Sequence, residues 1–403
     1  MKVKNKIPSI IYVNYSPYGN AGYILDYLKE FAENLIYVSF IFHPVERESK
    51  AQIYHHGKLN KQIKLPTILV PEKYVYYFAP ILSFIAALEL IAINIYVICR
   101  FRIKPQLFLA PNAFLVVIGI ILRALKMVKR VTFWVWDYYP VPKTGFYRKI
   151  FYKAYWVLDR WCTYKADFIW YLNKRLKEVR ENLGVTDDGQ KEYIVPLGMK
   201  PFVGHRWRSV GKNTLGFIGV LKKNQGLELL LNSLPELVSI IPDIKIEIIG
   251  SGPDEKYFRK MAERSSEGNR VTFYGFIDFV EEEERAGRIV VSWMAAVALY
   301  IPVKENLSAY ADPSKVKFYL SCGVPVIITR VPLIAEEIHR RGAGIAIGYN
   351  TQELVSAVRG IFVEKDKYRE KAICFTYEND YRKIYDSAFN VTRERLCLNK
   401  SIY

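Results

Sequence analysis

Short apolar runs alternate along the chain with segments whose apolar residues recur every three to four positions. Ser9–Tyr15 (SIIYVNY) is the first run, GYILDYLKEFAENL follows at helical spacing, and Ile36–Phe42 (IYVSFIF) reads as a second strand. Beyond a long apolar stretch, Phe78–Cys99, the alternation continues through Gln106–Ala110, the helix-like Phe114–Val128, Val131–Tyr139 (VTFWVWDYY), DFIWYL and EYIVPLG. Runs apolar on both faces predict parallel strands covered by helices on either side. A second series starts afresh at TLGFIGV. It passes through a helix over Gly226–Ile240, IKIEIIG, a helix over Asp254–Ser265, VTFYGF and a strand over Val297–Ile301. Helix Pro313–Cys322, PVIIT, helix Leu333–Arg341, GIAIG and a helix from Thr351 complete it. Between the series, PLGMKPFVGHRWRSVGKN has Pro and Gly but no apolar period and reads as a linker. The pattern predicts two doubly wound α/β domains, 1–200 and 201–375, facing across a cleft. A helical tail, 376–403, with aromatics three to four apart, is expected to pack back on the first.

The length, 403 residues, suits two cores rather than one. With 51% apolar and 24% charged residues, a disordered or fibrous chain is excluded. Five scattered cysteines without a CxxC pair, and five histidines without metal spacing, argue against a disulfide scaffold or structural zinc, and for a reducing compartment. The basic amino terminus leads into a short apolar run without a cleavage site and reads as a strand rather than a signal peptide. Phe78–Cys99 is long enough to span a bilayer, but it carries Glu89 and Asn94. A mid-membrane carboxylate costs about 2.5–3.5 kcal/mol, so a helix buried against a sheet is expected instead.

Charge is lopsided. Up to residue 200 there are 29 basic against 15 acidic side chains, and 29 against 25 beyond, within a net charge of +18. Such a surface suits an anionic partner: a bilayer face, phosphorylated ligands or nucleic acid. No recognition-helix or RNP-type motif accompanies it, and the excess avoids the second half, so nucleic acid ranks last. KTGFYRKIFYKAYWVLDRWCTYK interleaves basic and aromatic residues at helical spacing, which fits an anionic membrane interface or core aromatics beside solvated lysines.

Ligands of open parallel sheets sit at the carboxyl ends of strands, which directs attention to the strand-to-helix turns. In ADPSKVKFYLSCGVPVIIT, Asp312 is placed to N-cap a helix with Pro313 in its first turn. The amino end beside Ser314 and Lys315 then makes an anion site. In GFIGVLKKNQG, Gly219 ends a strand before Lys222 and Lys223. In IIGSGPDEKYF, Gly250 and Gly252 leave room for a flat ring or ribose, and in VTFYGFIDF the backbone of Phe276 and Ile277 is placed to read a base edge. Each turn alone is as well explained as a turn; their repetition at four strand ends points to a nucleotide. In the first half, Asp137 is the sole acid in Phe101–Ile150 and stands among Trp134, Trp136, Tyr138 and Tyr139. It is placed either to act as base toward an acceptor hydroxyl or to cap the turn before Pro140.

Taken in order, these motifs resemble the donor domain of GT-B glycosyltransferases of the family 4 type (glycosyl transferases group 1), tightly from Thr214 to Ile347. PYGNAGY resembles that fold's first-domain glycine loop, with Gly19 and Asn20 toward the donor sugar. The resemblance implies a GT-B fold and transfer of a sugar from a nucleoside diphosphate donor to a glycan or lipid-linked acceptor. It implies no metal or other cofactor, with helix dipole and Lys315 stabilising the leaving diphosphate, usually with retention. Two departures stand out. The usual Arg and Lys of the first loop are Val220 and Gln225, so Lys222 or Lys223 would substitute, and the ribose-binding Glu pair is Tyr310 and Phe318. A form without that pair resembles the galactofuranosyltransferase-like branch. The leading expectation is a peripheral enzyme of the inner membrane face in surface polysaccharide or glycolipid synthesis; the alternative is an inactive GT-B protein that binds a nucleotide sugar or a partner.

Overall fold

The computed structural model describes residues 7–15, 18–40, 49–65, 72–141, 143, 145–185, 191–202, 212–278, 282–303 and 306–398. It divides into two units, the first comprising Met1–Leu197 with Ile384–Tyr403 and the second Gly198–Lys383.

The first unit runs β1 (Ile7–Tyr15), α1 (Ile24–Phe31), β2 (Ala32–Phe40), β3 (Lys50–His55), β4 (Lys58–Lys64), α2 (Glu72–Phe101) and β5 (Leu107–Ala110). It continues with α3 (Ala113–Ala124), β6 (Arg130–Val135), α4 (Phe146–Lys165), β7 (Phe168–Tyr171), α5 (Lys174–Asn182) and β8 (Glu192–Ile194). Its eight strands are ordered β4-β3-β2-β1-β5-β6-β7-β8. From β2 to β8 all pairings are parallel, as buried two-sided strands require. The other edge departs from an all-parallel sheet: β3 lies antiparallel to β2, and β4 to β3. His56 and Gly57, both at positive φ (47° and 81°), form the two-residue turn joining them. β4 (KLNKQIK) is almost wholly exposed; its lysines blunt a sheet edge that would otherwise pair with another chain. β2 begins at Ala32, earlier than its apolar run, and residues 41–48, which include the expected strand end, lie outside the described residues.

α2 buries Leu90, Ile93, Asn94, Val97 and Ile98, while Leu88 and Tyr96 stay exposed. Among the described residues no helix is long and apolar enough to cross a membrane. α4 and α5 are tied by an interior ion pair: Arg180 Nη1 lies 2.8 Å from Asp159, and Nη2 donates to Thr163 Oγ1 at 2.8 Å.

The second unit runs β9 (Thr214–Ile218), α6 (Leu227–Asn232), α7 (Leu234–Ile240), β10 (Lys245–Ile249), α8 (Glu255–Arg264), β11 (Val271–Gly275) and α9 (Glu283–Val290). Then come β12 (Ala295–Ala298), α10 (Ser314–Ser321), β13 (Val326–Thr329), α11 (Ile334–Arg340), β14 (Gly344–Ile347), α12 (Thr351–Val363) and α13 (Lys365–Glu378). Every strand pair is parallel, in the order β11-β10-β9-β12-β13-β14. That is the Rossmann arrangement. The helix expected over Gly226–Ile240 is two helices, because Pro235 in the first turn of α7 supplies no N–H to continue the ladder across Ser233.

The last helix, α14 (Tyr381–Leu398), carries the chain back into the first unit. Tyr385 and Phe389 are fully buried there. Tyr385 packs edge-on against Trp134 and Phe389 against Trp170, with ring centroids 5.8 and 5.0 Å apart. Tyr385 Oη donates to the Gly22 carbonyl at 2.8 Å, and Tyr27 Oη to Asp386 Oδ1 at 3.0 Å.

Candidate functional site

In the second unit the strand order reverses between β9 and β12, the position where a doubly wound sheet opens a crevice beyond its carboxyl ends. The side chain of Lys315, one residue into α10, sits there. Its Nζ lies 4.7 Å from the ring centroid of Phe217 near the end of β9 and 4.8 Å from that of Tyr300 beyond β12. Gly219 lies beside it: a Cβ built there would be 3.3 Å from the ammonium. Gln225 Oε1 accepts its hydrogen bond at 2.8 Å. Among the described residues no carboxylate pairs with it. An ammonium buried among rings loses hydration that two cation–π contacts only partly replace. Burial accordingly pulls its pKa from 10.5 down to about 7.

Around it, α10 presents an open amino end. The amides of Val316 and Lys317 turn back to the Pro313 carbonyl at 3.1 and 3.4 Å, which leaves those of Ser314 and Lys315 pointing outward as helix geometry requires. Ser314 is exposed. Asp312 does not cap the helix as expected. Pro313 takes the cap position without a side-chain bond, and the Asp312 carboxylate is pulled to the buried Lys317 ammonium at 2.6 Å. Tyr310 and Phe318 are half-buried on either side of this turn.

The loop lysines face solvent. Lys222 and Lys223 are exposed; Lys223 Nζ lies 4.4 Å over the Tyr257 ring and its amide donates to Asp254 Oδ2 at 2.9 Å. The ammonium seated between Phe217 and Tyr300 comes from α10. At Gly250 and Gly252 two loops approach closely. A Cβ on Gly250 would stand 2.0 Å from the Gly219 carbonyl oxygen, and one on Gly252 2.6 Å from that of Leu221. Their missing side chains let the loops after β9 and β10 lie against each other. Phe276 is exposed, whereas the Ile277 side chain belongs to the core.

Within the first unit the corresponding reversal falls between β1 and β5. Gly19 is buried with the Tyr37 hydroxyl where its side chain would be, and Asn20 Oδ1 accepts the Asp26 amide at 3.1 Å, supporting the start of α1. Asp137 lies two residues past β6. Its side chain is open to solvent yet crowded by protein. That loss of hydration pushes its pKa up, while the hydrogen bond from Tyr139 Oη at 3.1 Å pulls the other way. Tyr139 is held by Trp156, whose Nε1 donates to its carbonyl at 2.8 Å. Trp136 Nε1 beside Asp137 is buried with no hydrogen-bond partner.

Residues 212–363 match the family model described as glycosyl transferases group 1. The matched segment lies within the second unit. Over the whole chain the fold is GT-B, two Rossmann-like parallel-sheet units. Anabaena HepE in complex with UDP is similar at 12% identity and a TM-score of 0.61, across 96% of this chain and 100% of that one. Sucrose-phosphate synthase from Thermosynechococcus elongatus is similar at 14% identity and a TM-score of 0.63, across 97% and 100%. A UDP-forming trehalose-phosphate synthase from Burkholderia vietnamiensis is similar at 12% and 0.63, across 98% and 100%. No curated protein matches the chain.

Within the second unit, the sequence marks Lys315 and the α10 amino end but carries no sign of Phe217, Tyr300 or the part Gln225 plays. A neutral polar residue 90 positions away gives no local sign that it faces a lysine; the fold alone brings them together.

Proposed function

We propose that the protein transfers a sugar from a nucleoside diphosphate donor, a UDP-sugar, to a glycan or lipid-linked acceptor. The observation that carries this reading is the Lys315 ammonium at the switch point of the second sheet, free of any described carboxylate and beside the open amides of α10. A cation held without an acid partner is suited to an anion that arrives, and charge developing on a departing diphosphate is stabilised best by donors already in place. Similarity to a UDP-bound GT-B structure supports the nucleotide. The sequence resemblance supports the family 4 type, a galactofuranosyltransferase-like branch and retention.

The acceptor is assigned to the first unit. There Asp137, its pKa raised by desolvation, is the group to take a proton from an acceptor hydroxyl. α4 exposes Phe146, Tyr147, Ile150, Val157, Trp161 and Tyr164 along one face beside exposed Lys149, Lys153 and Lys165. This combination suits an anionic bilayer surface, and with it a peripheral location at the inner membrane face and a role in polysaccharide or glycolipid synthesis.

A thermal-shift screen over UDP-, GDP- and dTDP-sugars, followed by a nucleotide-release assay with the stabilising donors, tests the reading. Stabilisation by UDP-sugars and release of UDP are expected. Binding without release under any acceptor supports an inactive donor-binding protein; no stabilisation by any nucleotide sugar refutes the proposal.

A further inference from the structure

Lys315 is the only lysine that the α10 turn and the β9 loop bring to the crevice among the described residues, and its hydrogen-bond partner is an amide rather than an acid. We propose that Gln225 is a positioning residue: its neutral amide oxygen holds the Lys315 ammonium at the switch point and leaves the positive charge available to a diphosphate. The inference rests on the donor reading above and extends it to a residue whose identity otherwise counts against activity.

The geometry is specific. An ammonium only donates, so the atom 2.8 Å away is the amide oxygen, and the Nε2 group of Gln225, with its two N–H bonds, accepts nothing from Lys315 and is itself a second donor for phosphate oxygens. Gln225 is held in turn. Its backbone N–H donates to the Lys222 carbonyl at 2.9 Å, and Gly226 behind it, at φ 72°, lies so close to the residue after β12 that a Cβ would stand 1.6 Å from the Leu299 oxygen. A carboxylate at 225 would form an ion pair with Lys315, cancel the charge and repel the ligand.

The groups facing Lys315 are few. β9 contributes Phe217, the loop after it Gly219, and the segment after β12 Tyr300; behind Tyr300, and in electrostatic contact with it, is Tyr319 of α10, whose hydroxyl bonds Ile218. Burial raises both tyrosines, so they stay neutral. Lys222 and Lys223 are at the surface, and Lys317 is neutralised by Asp312. Ligand affinity should therefore follow the proton on Lys315, which burial brings down to about 7. The protonated fraction falls from about one half at pH 7 to about 3% at pH 8.5, so UDP should bind roughly 15-fold more weakly at the higher pH.

The test is calorimetric titration of the full chain with UDP at pH 7 and 8.5. Gln225→Glu is expected to weaken UDP at least tenfold at pH 7 and to flatten the difference between the two pH values, because the carboxylate keeps Lys315 charged. Lys315→Gln is expected to lose at least tenfold, and adding Gln225→Lys to it should recover affinity to within about threefold, since the ammonium then reaches the same place from the β9 loop. Thermal melts verify that each variant is folded. UDP binding by the wild type that Gln225→Glu leaves unaltered, or a loss in Lys315→Gln that adding Gln225→Lys does not recover, refutes the inference alone. Failure of the wild type to bind UDP at either pH refutes the donor reading and the inference together.

Discussion

Replacing Lys315 by Met should make the empty protein more stable while removing its hold on UDP. The wild-type ammonium sits where burial lowers its pKa from 10.5 to about 7. At pH 7 that difference corresponds to a penalty of roughly 4 kcal/mol as an upper bound, from about 1.4 kcal/mol per tenfold change. Losing the Gln225 hydrogen bond and the contacts with Phe217 and Tyr300 offsets about 1–2 kcal/mol, and local relaxation lowers the penalty further. A net gain on the order of 1–3 kcal/mol remains, several degrees in melting temperature. The sign follows from proton linkage. Below pH 7 folded and unfolded chains both carry the proton and the whole penalty is felt. Between pH 7 and 10.5 the folded chain has released it and the unfolded chain has not, so the wild type recovers stability as pH rises. The advantage of Lys315→Met should thus be largest at or below pH 7 and vanish near pH 10. Thermal melts at pH 7 and 9.5, with UDP titrations alongside, measure both effects. A variant that melts lower than wild type at pH 7 and still binds UDP would refute the reasoning.

Three further outcomes are expected. Asp159→Ala strands the Arg180 guanidinium in the interior of the first unit and should cost about 3–5 kcal/mol by urea denaturation, whereas exchanging both residues for apolar ones should cost far less. Gly226→Ala drives a methyl group into the Leu299 carbonyl from a left-handed backbone and should both lower the melting temperature and weaken UDP, because the loop that carries Gln225 must move. Charge reversal at Lys149 and Lys153 on the exposed face of α4 should release the protein from anionic liposomes at moderate salt, while a Glu228→Gln control on the other unit leaves vesicle binding unchanged.

The buried strands were the most legible part of the sequence, since a parallel strand covered on both faces must be apolar throughout. β9, β10, β11, β13 and β14 stand where their apolar runs do, and Gly219, Gly250, Gly275 and Gly348 mark four of the ends; β12 is Ala295–Ala298 rather than Val297–Ile301, because the alanines before Val297 carry the pairing to β9 and β13. The β3–β4 hairpin escaped notice because an edge strand facing water carries no such run: KLNKQIK looks like a loop until it is paired. α9, with the sequence EERAGRIV, buries one narrow stripe among charges and was missed for a related reason. At the site, Lys315 was legible from the helix-start chemistry around it. Its environment was not, because Gln225, Phe217 and Tyr300 reach it through sheet order, and Asp312 chose an ion pair with Lys317 over the cap that local propensity favours.

The return of α14 has a temporal side. Trp134 and Trp170 are made early in synthesis, but the aromatic rings that cover them, Tyr385 and Phe389, are made almost at the end. At about 5–20 residues per second, the ribosome needs on the order of 10–40 s to traverse the intervening segment Gly198–Lys383. Throughout that interval the nascent first half lacks the two rings that complete the packing around its indoles.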